Sequence, residues 1–320
     1  MEVKVVGVAG LGLLGRGIAG CLLAHGVPVV GYDISPAERS TTNNAITNAI
    51  KELIEHGYCD PSAESTWRDL YTEATSVEEL AHCHFLIESV VESAEAKAAL
   101  FDQLEAILSP TTPIASNTSA LPITLLQKDR KHPARFLGMH WAAPAYATRF
   151  LEIIRGELTD DCSIDAATKL ALALGKDPCV VQQDIPGFIA NRLGYAMYRE
   201  ACNLLDLGVA DAETIDRSFR NSVGLWATVC GPLRWIDLTG GPALYGTAMA
   251  GVLPTLSNAT EIPEPLRAMM QAGATGIRNG HGFYSYTPSE AEAWQQIYHR
   301  QVWRVRKMQD EAFPLNTEIG

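Results

Sequence analysis

His140 closes one apolar stretch, Phe136-Leu137-Gly138-Met139-His140, and Glu152 interrupts another, Phe150-Leu151-Glu152-Ile153-Ile154. A carboxylate buried alone is expensive; a histidine on a neighbouring strand would supply a hydrogen bond and, once protonated, a counter-charge. The stretch Trp141–Thr148 is short enough for the two strands to lie side by side. An imidazole backed by a carboxylate moves protons near neutral pH. Oxidising a secondary alcohol needs such a base, which takes the hydroxyl proton while hydride leaves carbon. More polar residues follow apolar runs: Asn117-Thr118-Ser119 after Pro113–Ser116, and Asn191 within Pro186–Leu193. Strand ends of this kind are where open α/β sheets bind ligands. On residue type alone, the His140–Glu152 pair reads equally as catalytic or as a satisfied core pair.

The hydride needs an acceptor, and the start of the chain offers a place for one. Gly10, Gly12 and Gly15 form G-x-G-x-x-G between the apolar Val3–Val8 and a helix-prone Arg16–His25. Gly10 permits a tight turn, Gly12 lets a pyrophosphate approach the backbone, and Gly15 lets helix pack on strand. Leu13 and Leu14 open the helix, whose N-terminus favours phosphate charge. The second strand, Val27–Asp33, ends in Asp33, a carboxylate placed to accept from ribose hydroxyls and to repel a 2′-phosphate. NAD is therefore the expected cofactor; Arg39 lies too far along to change that expectation.

The elements that must hold these residues alternate. Strands are expected at Val3–Val8, Val27–Asp33, Phe85–Ser89, Pro113–Ser116, Phe136–His140, Phe150–Ile154 and Pro178–Val181, with helices such as Ala94–Leu108 and Ile164–Leu174 between them. That alternation predicts an α/β fold, a Rossmann doubly wound, mainly parallel sheet over residues 1–184. Residues 40–72 are polar and helix-prone and read as a helical insertion. From 185 to 320 strand signals vanish, so an all-α C-terminal domain for substrate and dimerisation is expected, with a last helix from Pro288. The 320 residues suit two domains. A net charge of −12 disfavours nucleic acid and anionic membranes as partners. No apolar run is long enough to span a membrane, and Met1-Glu2 leads straight into the first strand without a basic leader, so a cytoplasmic location is expected. Seven scattered cysteines without C-x-x-C read as reduced thiols. His82-Cys83-His84 would point to alternate faces of a strand, so no metal is expected.

Taken together, the chain resembles the L-3-hydroxyacyl-CoA dehydrogenase family over nearly its whole length. The matching stretches are Gly10–Ala19, Glu88-Ser-Val-Val-Glu92 with Lys97, Ser116-Asn-Thr-Ser119, His140 with Pro144, Glu152, Pro186–Leu193, Gly231-Pro232 and Gly280-His-Gly-Phe-Tyr284. The resemblance implies that His140 is the general base and that Glu152 polarises it. Ser119 and Asn191 would contact substrate and orient the imidazole, Glu92 and Lys97 would touch the nicotinamide ribose, and Asn117 falls on the cofactor side. Without it, Glu92 and Lys97 read as a helix-start acid and a solvated lysine. A homodimer formed by the helical domain is also implied; Trp226, Leu233, Trp235, Ile236 and Leu238 would otherwise pack internally.

Two departures bear on the substrate. The family's His-Phe-Phe-Asn-Pro is here His140-Trp141-Ala142-Ala143-Pro144, which removes an amide and adds an aromatic wall or a core residue at Trp141. Residues 40–72, which cover CoA in thioester-using relatives, carry Lys51 and Arg68, with Arg39 just before them, against Glu52, Glu55, Asp60, Glu64 and Asp69. CoA phosphates call for clustered cations, which would then have to come from Lys128, Arg130 or Lys131. The expected reaction is NAD-dependent oxidation of an L-3-hydroxyacyl substrate of 3-hydroxyacyl-CoA type, as in fatty acid metabolism. The same chemistry on a free hydroxy acid or pyridine carboxylate is the alternative, with a carboxylate cation among Arg149, Arg192, Arg220 and Arg234. Arg149 would face away from Glu152 and be solvated. A non-catalytic, crystallin-like NAD-binding protein is a third reading, opposed by the joint presence of Ser119, His140, Glu152 and Asn191.

Overall fold

Among the described residues, 3–315 of a computed structural model, eight strands form one sheet. They are β1 (Val6–Ala9), β2 (Val29–Tyr32), β3 (Tyr71–Ala74), β4 (Phe85–Glu88), β5 (Ile114–Ser116), β6 (Phe136–Trp141), β7 (Phe150–Ile154) and β8 (Asp177–Val181). Met1-Glu2, where no leader was read, and residues 316–320 lie outside the described residues. The sheet order is β3-β2-β1-β4-β5-β6-β7-β8. Every neighbouring pair is parallel except β6 and β7, which run antiparallel. This is the doubly wound, mainly parallel sheet expected. Its order reverses between β1 and β4, and ligands bind in the crevice at that switch point. The central strands β1, β4, β5 and β6 are buried throughout, as strands covered on both faces must be.

One strand escaped the sequence reading. Tyr71-Thr72-Glu73-Ala74 pairs with β2 at the sheet edge, where only Ala74 is buried. A short edge strand needs no apolar run and so leaves little trace in the sequence.

The helices of this part are α1 (Leu13–Ala24), α2 (Pro36–Glu55), α3 (Ala63–Leu70), α4 (Ala94–Ile107), α5 (Ile123–Gln127), α6 (Asp161–Ala173) and α7 (Ala190–Asp206). Ser35 caps α2 by accepting from Glu38 N–H, Pro36 opens it, and Ser93 caps α4 through Ala96 N–H. The polar segment after β2 is helical, as α2 and α3. In α2, Thr42, Ile46, Ala49, Ile50 and Leu53 form the buried stripe, which packs on α1. Each of its fully buried Ile and Leu side chains contributes roughly 1.5–3 kcal/mol.

The chain divides into two compact units, Met1–Asn191 and Arg192–Gly320. The second unit contains the rest of α7, then α8 (Ala212–Asn221), α9 (Val223–Ala227), α10 (Pro232–Thr239), α11 (Gly241–Val252), α12 (Glu264–Gln271) and α13 (Pro288–Ala312). Among its described residues, only Cys202, Trp303 and Arg306 are buried. Among the described residues, no helix is long and apolar enough to cross a membrane.

Candidate active site

The glycine loop is built by contacts that exclude side chains. Gly10 has φ +97°, and a Cβ there would lie 2.5 Å from the Ser89 carbonyl group. A Cβ on Gly15 would overlap the Gly10 carbonyl oxygen, whereas one on Gly12 would meet open space. Gly12 is the N-cap of α1 and supplies no side-chain cap. The first N–H groups of α1, at Leu13 and Leu14, therefore form an uncapped, positive helix end beside a cleared approach. Asp33 binds the loop from below: Oδ2 accepts from Leu11 N–H and Oδ1 from Ser35 N–H, both at 2.7 Å. Arg39 is closer than its spacing suggests, since it donates to the Asp33 carbonyl and lies 3.7 Å from Glu73. The open helix end and the carboxylate at the tip of β2 fit a dinucleotide: pyrophosphate on the first, ribose beside the second.

At the next strand ends, charges are buried. Lys97 Nζ lies 2.7 Å from Glu88 Oε1 and 3.3 Å from Glu92 Oε2. Glu88 and Lys97 are fully buried, so the solvated-lysine reading of Lys97 is overturned. Glu92 Oε1 accepts from the Thr118 hydroxyl and from Ser119 and Ala120 N–H. Burial works against ionisation of Glu92, but the Thr118 hydroxyl, Lys97 and those two N–H groups outweigh it and hold its carboxyl below the usual range. Asn117 Oδ1 accepts from Trp141 N–H and Nδ2 donates to Ser89 Oγ. The Asn117 side chain thus ties together the ends of β4, β5 and β6, the edge of the crevice expected to hold the cofactor.

His140 and Glu152 are direct partners in the antiparallel ladder of β6 and β7. The imidazole Nδ1 lies 2.9 Å from Glu152 Oε2, with both side chains buried. A carboxylate accepts, so this contact places the proton on Nδ1 and the lone pair on Nε2. The other Glu152 oxygen accepts from Ile189 and Ala190 N–H, at 3.1 and 2.9 Å, where α7 begins. Phe150 meets the imidazole edge-on at 5.5 Å between centroids, and Phe188 lies at 5.7 Å. Phe188 was missed by sequence reading. It is fully buried with φ +50°, a strained conformation for a non-glycine residue.

The polar residues join into one chain of contacts. Ser119 gives its N–H to Glu92, and its carbonyl accepts from Asn191 Nδ2 at 2.8 Å. Asn191 follows Ala190, whose N–H is on Glu152. Lys97, Glu92, Ser119, Asn191, Glu152 and His140 are therefore linked without a break.

Of the two readings of Trp141 the core one holds: neighbouring strand residues point to opposite faces, and Trp141 is buried, with Lys176 Nζ 5.2 Å from its ring. One expectation is corrected. Arg149 is buried, not solvated, and its Nη2 lies 2.9 Å from Asp177. Among the described residues, no cluster of His, Cys, Asp or Glu could hold a metal ion.

The chain is similar to known proteins over nearly its whole length. Residues 5–185 match the model of the 3-hydroxyacyl-CoA dehydrogenase NAD binding domain, and residues 187–286 match that family's C-terminal domain. A 5-formyl-3-hydroxy-2-methylpyridine 4-carboxylate 5-dehydrogenase of Mesorhizobium japonicum is 31% identical over 309 residues, covering 96% of this chain and 98% of that protein. A crystal structure of a dehydrogenase of that kind, described as an NAD+-dependent dismutase, superposes with a TM-score of 0.90 at 30% identity, over 97% of this chain and 99% of that one. An (S)-3-hydroxybutyryl-CoA dehydrogenase of Ralstonia eutropha superposes with a TM-score of 0.74 at 30% identity, over 89% and 100%.

Proposed function

The chain belongs to the 3-hydroxyacyl-CoA dehydrogenase family and is an NAD-dependent dehydrogenase; on that premise we propose that it oxidises a small free hydroxy acid, with His140 as general base. His140 Nε2 takes the proton of the substrate hydroxyl. Glu152 offsets the charge of the imidazolium that forms, and the two N–H groups at the start of α7 keep that carboxylate in place. The Ser119 hydroxyl and the Asn191 amide hold the substrate oxygen. NAD, when bound, supplies the hydride acceptor, held by the first turn of α1, Asp33 and Glu92, with the buried Lys97 fixing the Glu92 carboxylate. Lys97, Glu92, Ser119, Asn191, Glu152 and His140 are joined in one run, which supports catalysis over a non-catalytic binding role.

The observation that carries the choice of a free acid is the state of the cations in α2 and α3. Lys51 lies 3.7 Å from Glu64, Arg68 stacks over Trp67 at 4.5 Å, and Arg39 is held at Asp33 and Glu73. Arg130 is tied to Asp102 at 2.7 Å. These cations are engaged by neighbours, and the segment is otherwise acidic, which is poor ground for CoA phosphates. The stronger likeness to the pyridine-carboxylate dehydrogenase points the same way. NADH formation at 340 nm should be seen with free L-3-hydroxybutyrate or a hydroxymethylpyridine carboxylate and NAD, and not with 3-hydroxybutyryl-CoA. Turnover of the thioester alone would reject the free-acid reading.

The helical unit supports a homodimer. Leu207, Val209, Leu225, Leu233, Leu238 and Leu244 are each more than half exposed, yet that unit's described residues provide almost no core of their own. Apolar surface on this scale marks an interface. Sedimentation equilibrium at micromolar concentration should return twice the 34.7 kDa chain mass. A monomer at that concentration would reject the dimer.

A further inference from the structure

Glu88 has no part in the proton transfer and was not among the residues expected to bind cofactor, yet it is the most buried acid of the crevice. It closes β4 beside Ala9 of β1, so it stands next to the glycine loop; the backbone of the following Ser89 is what Gly10 packs against. Donors converge on its carboxylate: Lys97 Nζ and Val90 N–H on Oε1, both at 2.7 Å, and the Ser116 hydroxyl on Oε2 at 2.5 Å. Lys97 is shared with Glu92, whose side chain is 40% exposed. Two carboxylates thus face one ammonium, a group of formal charge −1 at the switch point of the sheet. A buried ion pair rarely earns its place by stability alone, and a fold that needed only to close the β4–α4 turn could do so with neutral groups.

The two redox forms of the cofactor differ in charge at one place: the nicotinamide ring is cationic when oxidised and neutral when reduced. We propose that Glu88 is a charge-setting, positioning residue which, by keeping the Glu88–Lys97–Glu92 group at net −1, makes this site favour NAD+ over NADH relative to a neutral site. The proposal rests on dinucleotide binding and is independent of which hydroxy acid is oxidised. It acts on the resting enzyme: weaker retention of NADH eases release of the reduced product.

The test is the ratio of dissociation constants. NADH affinity is read from its fluorescence, and NAD+ affinity from displacement of NADH. Glu88→Gln can keep an oxygen at the Oε1 position to accept from Val90 and Lys97 and turn its amide N–H toward the Ser116 hydroxyl, which then accepts, while the charge is removed. It should weaken NAD+ about fivefold or more relative to NADH, on the scale of one unit charge acting through protein. Glu92→Gln makes the same change of charge at the accessible end of the group, where folding is at less risk, and should shift the ratio in the same direction. Ser116→Ala removes a hydrogen bond and no charge, and should leave the ratio unchanged. A ratio unmoved in Glu88→Gln and Glu92→Gln, or moved equally by Ser116→Ala, would overturn the proposal and leave Glu88 a purely structural residue. A wild-type protein that bound neither nucleotide would overturn the dinucleotide reading and this proposal with it.

Discussion

His140→Ala is expected to lower kcat by about 10³-fold, within the range of 10²–10⁴ for a positioned general base. NADH binding should be preserved. The imidazole sits at the β6–β7 ladder, while the glycine loop and Asp33 lie on β1, β2 and α1. The loss is one of chemistry, so kcat should fall far more than substrate KM rises. Removing the ring leaves Glu152 Oε2 without its partner, whereas Oε1 keeps the Ile189 and Ala190 N–H groups. Some loss of thermal stability therefore accompanies the variant, and both kcat and NADH affinity should be measured well below its melting temperature. A kcat within tenfold of wild type would remove His140 as the base.

Gly15→Ala should abolish detectable NADH binding, a loss of about 100-fold or more, because overpacking at this point displaces the loop that shapes the phosphate site. The added methyl would overlap the Gly10 carbonyl, and the space around Gly10 is itself tight, with no room for a Cβ beside Ser89. The contrast with Gly12 separates fold from ligand. A Cβ on Gly12 meets nothing in the protein, so Gly12→Ala should keep the wild-type melting temperature while still weakening NADH, its methyl standing where the pyrophosphate approaches. Gly15→Ala should lower both. Wild-type NADH affinity and melting temperature in Gly15→Ala would contradict this account of the loop.

The sequence made parts of this site legible for a physical reason: a polar residue in an apolar run demands a partner. His140 and Glu152 were visible as such interruptions, and Gly10, Gly12 and Gly15 as positions where side chains cannot be tolerated. Glu88 carried the same signal, an acid closing the buried strand Phe85–Glu88, but its meaning depends on Lys97 arriving from the next helix. Lys97 itself could not be told from a surface lysine, because one residue on a helix does not declare which way it faces. Arg149 misled because strand alternation gives the opposite face from Glu152 but not whether that face is covered; here it is, and Asp177 of the neighbouring strand meets the guanidinium. The left-handed turn at Phe188 leaves no trace in residue type, since phenylalanine is a poor choice for that conformation. The edge strand β3 was lost because an edge requires hydrogen bonds more than hydrophobicity.

Because His140 and Glu152 are cross-strand partners, their separation is set by sheet hydrogen bonds and not by the connection between them. A slip of one residue in either strand would turn that strand's side chain to the other face and part the pair. The connection itself is anchored elsewhere, with Lys176 Nζ on the carbonyls of Ala145 and Thr148 and Tyr146 on Glu52. Residues 142 and 143, where the family's Phe-Asn has become Ala-Ala, can therefore be exchanged without moving the acid–base pair. In an engineering sense the pair and the hairpin are separate modules: a library confined to residues 142 and 143 could be screened while the His140–Glu152 contact stays intact.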